Sequence, residues 1–366
     1  MIHFIIGTKA QFIKMAPLMH LLEAERRSYH LLDLGQHTDT TRRILEDFAL
    51  APSITRLRAG GGNVENYLQA IRWLSAGGTR LLQPRARLLQ TCFRGETGVS
   101  LIHGDTVSTW LGLHLSRRAG LPVGLVEAGL SSGSLLDPFP EELIRRHAEQ
   151  RADLLFAPDP QAATRLRGLG LRGEVHDTGY NTGRDALALV VRKYGLATPP
   201  ADAGRYSVLT LHRLETLSRR SLLSKAMGYA MELAQHIGPV RFYVHGPTRL
   251  ALARAGLLET LQRHPDFTLG PLLPYPDFVH QILHCRYLLT DGGSIQEEAS
   301  YIGKPCLILR QRTERQNGIG RNVRLASYEA QSDLAFLRES AGKGQIPLDF
   351  ELHASRRLLQ DLMRQS

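Results

Sequence analysis

The sequence is poor in cysteine and contains no long apolar run. Its three cysteines (Cys92, Cys285 and Cys306) are widely spaced and odd in number, which fits neither a disulfide framework nor a metal site and is typical of a reducing compartment. No apolar stretch approaches the roughly 18–20 residues that span a bilayer, and Met1–Gly7 lacks the basic segment that opens a signal peptide. We therefore expect a cytoplasmic protein without a bound metal, whose first residues form a buried strand.

Acidic residues are outnumbered by basic ones, which gives a net charge of +10. The basic residues are dispersed in pairs such as Arg117-Arg118 and Arg219-Arg220, and no basic block interleaved with aromatic residues indicates a nucleic-acid site. We interpret these residues mainly as solvated helix faces and expect no nucleic-acid partner. A loose attraction to an anionic membrane surface, and hence peripheral membrane association, stays open.

Short apolar runs alternate with amphipathic segments, which is typical of parallel sheets covered by helices. The pattern restarts after a joining segment near Gly179–Ala203, and 366 residues exceed the size at which one core usually stops growing. We predict an α/β protein of two Rossmann-like domains facing each other across a central cleft. The first covers residues 1–180, with the helical tail 350–366 returning to it, and the second covers residues 181–349. The predicted strands are Ile2–Gly7, Tyr29–Leu34, Ser100–His103, Val123–Val126, Leu154–Ala157, Glu174–Asp177, Val208–Leu211, Val240–His245, Thr268–Leu272, Tyr287–Thr290 and Cys306–Leu309.

A glycine turn follows the first predicted strand, in the run Gly7-Thr8-Lys9-Ala10-Gln11-Phe12-Ile13-Lys14. Glycine lets the backbone approach a ligand, and the N-terminus of the following helix favours an anion. The run matches neither a Walker loop nor a full dinucleotide fingerprint. A surface lysine whose stem lies along the protein is an equally good interpretation of Lys14.

Three carboxylates stand just beyond predicted strand ends or at a helix start. Asp105 closes His103-Gly104-Asp105-Thr106, Glu127 follows the next strand, and Glu141 comes after Pro140. Substrates bind at this edge of open α/β sheets, and crowded carboxylates perturb each other's pKa, so that one can act as base and another as acid. Alternatively, Asp105 caps a helix that begins at Thr106, and Glu141 is a first-turn acid. The three together favour a functional site.

A second glycine turn lies in Thr290-Asp291-Gly292-Gly293-Ser294-Ile295-Gln296-Glu297-Glu298-Ala299. Free N–H groups where such a helix begins can hold a diphosphate, and Glu297 or Glu298 can then reach ribose hydroxyls. His212, Arg213 and His245 stand at strand ends of the same half and supply positive partners for phosphate oxygens.

The order and spacing of these motifs resemble the bacterial UDP-N-acetylglucosamine 2-epimerases, chiefly the non-hydrolysing kind, over about residues 1–330. The resemblance is carried by Gly7-Thr8 with Ile13-Lys14-Met15-Ala16-Pro17, Gln36-His37, His103-Gly104-Asp105-Thr106, Val126-Glu127-Ala128-Gly129-Leu130, Pro140-Glu141-Glu142, His212-Arg213, the run from Thr290 to Ala299 and Thr313-Glu314-Arg315.

The resemblance implies a GT-B fold and an isomerase that interconverts UDP-N-acetylglucosamine and UDP-N-acetylmannosamine, or a related sugar, by elimination and re-addition of UDP. It further implies a homodimer that serves surface polysaccharide synthesis and needs no cofactor. The implied catalytic residues are Asp105, Glu127, Glu141 and His212. The implied sugar- and UDP-binding residues are Lys9, Lys14, Arg145, Arg213, His245, Gly292, Gly293, Ser294, Glu298 and Arg315.

Several positions around the phosphates depart from the family pattern. Lys9-Ala10-Gln11 stands where the family usually has Arg-Pro-Glu, and lysine lacks the bidentate fork of arginine. Ser131 and Leu214 replace arginines, Gly292-Gly293-Ser294 replaces Ser-Gly-Gly, and Gln316 replaces a proline. Three other activities therefore stay open: a hydrolysing 2-epimerase that releases UDP and free N-acetylmannosamine, a GT-B glycosyltransferase and, least favoured because all three carboxylates are kept, a non-catalytic sensor of nucleotide sugars.

Overall fold

The computed structural model of this chain describes residues 1–35, 38–57, 77–133, 140–344 and 346–364. The chain forms two compact units, Met1–Leu189 together with Phe350–Ser366, and Val190–Asp349. The assignment of sugar chemistry to the first unit and of UDP binding to the second stays a prediction.

Within the described residues, the first unit contains a seven-stranded, all-parallel sheet in the order β3-β2-β1-β4-β5-β6-β7. Inner strands such as β5 and β6 are buried along their whole length, as expected for a parallel sheet covered on both faces. The strands are β1 (Ile2–Ile6), β2 (Tyr29–Asp33), β3 (Ser53–Arg56), β4 (Val99–His103), β5 (Val123–Val126), β6 (Leu154–Ala157) and β7 (Glu174–Asp177).

The second unit contains, over the part of the chain described, a six-stranded parallel sheet in the order β10-β9-β8-β11-β12-β13. Its strands are β8 (Ser207–Thr210), β9 (Val240–Val244), β10 (Phe267–Pro271), β11 (Leu288–Thr290), β12 (Cys306–Ile308) and β13 (Val323–Leu325). In each unit the first strand lies inside the sheet, β1 between β2 and β4 and β8 between β9 and β11. This change of direction in the strand order is typical of doubly wound folds.

Helices connect the strands in both units. They are α1 (Lys9–Ala24), α2 (Thr38–Phe48), α3 (Arg85–Phe93), α4 (Val107–Ala119), α5 (Glu141–Glu149), α6 (Pro160–Gly168), α7 (Thr182–Tyr194), α8 (Leu214–Ser218), α9 (Arg220–Ile237), α10 (Gly246–Ala255), α11 (Leu258–Arg263), α12 (Tyr275–His284), α13 (Gly293–Ile302), α14 (Ala330–Gly342) and α15 (His353–Arg364). Among the described residues, no helix combines the length and the apolar character that crossing a bilayer requires.

The α/β class with two parallel sheets is confirmed, and each strand predicted from the sequence is present. The structure adds β3 and β13, which sequence reasoning missed. Both strands lie at the edge of a sheet and are not fully buried, and both contain polar residues beside their apolar ones, so neither shows a clear apolar run. The tail helix α15 packs in the first unit, where the buried carboxylate of Asp185 accepts a hydrogen bond of 2.7 Å from the backbone N–H of Ser355.

Candidate active site

Asp105 and Glu127 leave the first sheet at the same edge. They follow β4 and β5, which pair in register up to His103 opposite Val126. Because parallel strands end together, the segments that follow them are neighbours. The interpretation of Asp105 as a helix cap is wrong, because the capping position of α4 is Thr106. The carboxylate of Asp105 pairs instead with Nη2 of Arg145.

Arg145 on α5 is the centre of a buried charge cluster. Its side chain is 2% exposed, and its Nη1 atom donates a hydrogen bond of 2.7 Å to Oε2 of Glu142, one turn earlier on the same helix. Glu142 is completely buried. The guanidinium group therefore joins a carboxylate on the loop after β4 to a carboxylate on α5, in the planar fork geometry that suits arginine.

A second charge cluster surrounds Glu127. Its Oε2 atom accepts hydrogen bonds from Nζ of Lys14 and from Nδ2 of Asn181, and Nε2 of His103 lies 3.8 Å away. Lys14 is 4% exposed, so its interpretation as a surface lysine is wrong. Glu127 has a φ of 65°, a backbone conformation that costs energy in a residue with a side chain and is typical of functional sites.

The turn between β1 and α1 is held by Gln11. Its Oε1 atom accepts hydrogen bonds from the backbone N–H groups of Gly7 (2.9 Å) and Thr8 (3.1 Å), and its Nε2 atom donates to the carbonyl oxygen of His103 at 2.7 Å. Gln11 thus joins the first glycine turn to the strand end before Asp105. Lys9 is the first residue of α1 and is half-buried.

The third predicted carboxylate, Glu141, is the first residue of α5 and is half-buried. It stands four positions before Arg145, a spacing that places both side chains on the same face of a helix. Asp105 and Arg145 are in direct contact, as are Glu127 and Lys14, and Glu141 lies on the same helix as Arg145. The motif Gln36-His37 lies outside the described residues.

In the second unit, the glycine turn leads into α13. Gly292 occupies the capping position before this helix, so no side chain of the capping residue accepts from the first N–H groups. Gly293 and Ser294 are the first residues of the helix. A Cβ atom on Gly292 would lie 2.3 Å from Cε1 of His212, and one on Gly293 would lie 2.7 Å from Nε of Arg315. Both glycines thus allow a basic side chain to approach the N-terminus of the helix closely.

Asp291 positions His212 and Arg213 through their backbones. Its completely buried carboxylate accepts hydrogen bonds from the N–H of His212 (2.9 Å) and of Arg213 (3.0 Å). The side chain of His212 is 42% exposed, yet desolvation by the protein around its ring lowers its pKa, and Asp291 opposes that shift. The ring of His245 lies 6.3 Å from the ring of His212, and burial and His212 lower the pKa of His245. Two neutral imidazoles can donate or accept hydrogen bonds at this strand end.

The predicted UDP-binding arginines are already engaged with carboxylates. Arg213 pairs with Glu314, and Arg315 pairs with Glu297. Although burial acts to raise the pKa of Glu314, Arg213 and Arg315 are among the guanidinium groups that hold it well below its usual range. Paired arginines are fixed in orientation, so they present a defined set of donors beside the start of α13.

Glu298 faces Tyr275 on α12. The phenol of Tyr275 donates a hydrogen bond of 3.0 Å to Oε1 of Glu298, and burial together with this carboxylate raises the pKa of Tyr275 well above its ordinary value. The carboxylate keeps further acceptor capacity, since each oxygen has two lone pairs.

Sequence reasoning missed four polar residues that organise these clusters, namely Gln11, Glu142, Asn181 and Asp291. Each follows a strand end or begins a helix, as do the residues that were predicted. Asn181, for example, comes shortly after β7. A systematic reading of every polar residue at this edge of both sheets would have included all four.

Known proteins of one family resemble this chain. A family model described as UDP-N-acetylglucosamine 2-epimerase matches residues 81–335. The UDP-N-acetylglucosamine 2-epimerase of Yersinia pestis is 30% identical over 331 residues, 86% of this chain and 83% of that protein. That of Bacillus subtilis is 29% identical over 332 residues, 86% of this chain and 80% of that protein. The solved UDP-GlcNAc 2-epimerase from Neisseria meningitidis, bound to UDP-GlcNAc, has a TM-score of 0.82 at 23% identity and covers 99% of both chains. The GT-B fold class is confirmed by this likeness.

Proposed function

The chain belongs to the UDP-N-acetylglucosamine 2-epimerase family, and we propose that it interconverts UDP-N-acetylglucosamine and UDP-N-acetylmannosamine, or a related pair of UDP-N-acetylhexosamines. Its relatives are isomerases, and this chain is an enzyme of that class. We further propose that its product feeds surface polysaccharide synthesis and that it works as a homodimer.

The proposed reaction inverts carbon 2 without oxidation. A carboxylate removes the proton from C2, a double bond forms between C1 and C2, and UDP leaves from C1 with the electron pair of the C1–O bond. A proton is then returned to the opposite face of C2, and UDP adds again to C1. General acid–base catalysis of this kind needs carboxylates in different protonation states, which is the role proposed for Asp105, Glu127 and Glu141.

One observation carries this proposal: two carboxylates at adjacent strand ends are each paired with a buried cation. Arg145 holds Asp105, and Lys14 holds Glu127. A departing UDP brings negative charge, and preorganised cations stabilise charge that develops in a transition state. Lys14 and Arg145, with Lys9 at the start of α1, are therefore proposed to contact the sugar and the diphosphate.

The second unit is proposed to bind UDP. The N–H groups of Gly293 and Ser294 in the first turn of α13 lack acceptors within the helix and suit the diphosphate, while Gly292, whose own N–H donates to Oγ1 of Thr290, lets the backbone approach the ligand. The nearby side chains of His212, Arg213, His245 and Arg315 would add donors to the phosphate oxygens, with His212 as the catalytic member of this group. Glu298 is proposed to accept hydrogen bonds from the ribose hydroxyls.

An NMR experiment tests the reaction. The protein is incubated with UDP-N-acetylglucosamine in D2O, and the sugar signals are followed. Formation of UDP-N-acetylmannosamine with deuterium at C2 is the expected result. Release of UDP with free N-acetylmannosamine would replace the proposal by a hydrolysing 2-epimerase. Absence of exchange at C2, with sugar transfer only after an acceptor glycan is added, would replace it by a glycosyltransferase.

A further inference from the structure

Glu142, adjacent to the predicted catalytic Glu141, has no role in the proposed chemistry, yet its surroundings are specific. It lies in the first turn of α5 and is completely buried. Its Oε2 atom accepts the hydrogen bond of 2.7 Å from Nη1 of Arg145, and its Oε1 atom accepts one of 2.6 Å from the hydroxyl of Ser131. Buried carboxylates are retained only where their oxygens are paired, so this one is fixed in place.

Oε1 of Glu142 also accepts a hydrogen bond of 3.4 Å from Nε of Arg146, the neighbour of Arg145 on α5. The contacts with Ser131 and Arg145 reach different parts of the site. Ser131 belongs to the loop after β5, which begins with Glu127. Arg145 continues to Asp105 on the loop after β4 through its other terminal nitrogen. Glu142 therefore joins the two catalytic loops to α5. The hydrogen bond from Ser131 distinguishes this chain from the family pattern, in which this position is usually arginine.

We propose that Glu142 is a positioning residue, which holds the guanidinium group of Arg145 in the orientation that meets Asp105. The inference rests on the proposed function, because it gives Asp105 an acid–base role. Arg145 has one rigid fork, and with Nη1 fixed by Glu142 its Nη2 can only point towards the loop after β4. A loss of this constraint misplaces a charge beside the reacting carbon, and such a misplacement by about 1 Å can cost roughly a hundredfold in rate.

Two substitutions separate the position of Glu142 from its charge. Glu142→Asp keeps the charge but withdraws the carboxylate, so that it either releases Arg145 or draws it away from Asp105. Glu142→Gln keeps the reach, because its amide oxygen can accept from Arg145 while its NH2 group donates to the hydroxyl of Ser131, and it loses only the longer bond of 3.4 Å from Arg146. The matched control is Asp333→Asn, which removes a buried carboxylate that faces Arg324 in the second unit.

Steady-state kinetics should show a larger loss of kcat for the variant that moves the carboxylate than for the variant that removes its charge. We expect kcat of Glu142→Asp to fall at least roughly tenfold with KM within about threefold of wild type, and Glu142→Gln to lose less. Asp333→Asn should keep kcat within about twofold.

Side-chain NMR of the ligand-free protein separates this inference from the proposed function. In wild type, the guanidinium N–H signals of Arg145 should be resolved and slow to exchange with solvent, and in Glu142→Asp they should broaden or disappear. If wild type epimerises no UDP-sugar, the proposed function fails, while this comparison still decides the positioning role.

Unchanged Arg145 signals in Glu142→Asp would overturn the proposal, as would equal losses of kcat in both Glu142 variants. If Glu142→Asp does not fold, Ser131→Ala carries the test, because it removes one support of Glu142 from a half-buried position. Faster exchange of the same Arg145 signals is then expected, and an unchanged spectrum would count against the proposal.

Discussion

Nδ2 of Asn181 donates a hydrogen bond to Oε2 of Glu127, the same oxygen that accepts one from Nζ of Lys14. Asn181 and Glu127 are 54 positions apart in the sequence. The side-chain oxygen of Asn181 also accepts a hydrogen bond of 3.0 Å from the backbone N–H of Gly183, in the first turn of α7. The amide is thereby fixed in one orientation, and Glu127 receives a neutral donor and a cation on one oxygen.

We predict that Asn181→Ala lowers kcat by about tenfold with little change in KM, because Glu127 loses one of the groups that orient it. Removal of a buried donor should also lower the free energy of unfolding by about 1–3 kcal/mol. Turnover of the UDP-sugar and urea unfolding measure the two effects.

The control for this prediction is Asn322→Ala in the second unit. Asn322 is also buried, and its Nδ2 atom donates to the carbonyl oxygens of Ala299 (2.9 Å) and Lys304 (2.8 Å). This variant should lose comparable stability and keep kcat within about twofold. If both variants lose kcat to the same extent, Asn181 has no specific effect on Glu127.

Substitution of any one of the three proposed acid–base residues should lower turnover. Asp105→Asn, Glu127→Gln and Glu141→Gln should each lower kcat by at least roughly a hundredfold, the low end for general acid–base catalysis. Binding of UDP, followed by calorimetry, should change much less, because the three carboxylates are not among the groups proposed to contact UDP. Near-normal turnover in all three folded variants would refute the assignment of this site.

The positions of Asp105 and Glu127 could be predicted because each follows a buried apolar strand. Such strands show in the sequence, and the rule for parallel sheets then places the residues after them at one edge. Their chemical roles came from the resemblance and not from the pattern. The burial of Lys14 could not be predicted, because the same lysine on a helix suits solvent or a buried carboxylate, and only the position of Glu127 decides between them.

The partners Asn181 and Glu142 were missed for a related reason. Glu142 and Arg145 stand three residues apart on one helix, a local spacing that favours their contact. The contacts of Asn181 with Glu127 and of Glu142 with Ser131 depend on the completed fold, and no local spacing encodes them. The edge strands β3 and β13 were missed because polar residues interrupt their apolar residues, as in Ser53-Ile54-Thr55-Arg56 and Val323-Arg324-Leu325. The apolar pattern that remains is too weak to distinguish them from loops.

A buried histidine pair predicts that stability decreases in acid. His3 and His30 lie on the adjacent strands β1 and β2, with their Nδ1 atoms 3.1 Å apart. Burial is the main cause that lowers the pKa of each to about 4 from 6.5. Because the unfolded chain binds these protons more readily, the stability is fully present above pH 6.5 and is lost as the pH falls towards 4.

Between pH 7.5 and pH 5, these shifts correspond to a loss on the order of 2 kcal/mol for each histidine. Urea unfolding at the two pH values measures the difference. His3→Leu should reduce this difference by about half, even though it removes one of the two hydrogen-bond partners of His30, the other being Thr55, and lowers stability at both pH values. An undiminished pH dependence in that variant would assign the acid sensitivity to other groups.

The glycine turn of the second unit gives the last prediction. In Gly292→Ala, the new Cβ atom would lie 2.3 Å from Cε1 of His212, and that side chain, 42% exposed, can move into solvent. We therefore expect little loss of stability but at least tenfold weaker UDP binding, a change of about 1.4 kcal/mol, measured by calorimetry. The matched control is Gly246→Ala at the start of α10, where a Cβ atom meets nothing within 4 Å and affinity should be unchanged. Equal affinities of both variants for UDP would show that His212 does not contribute to nucleotide binding.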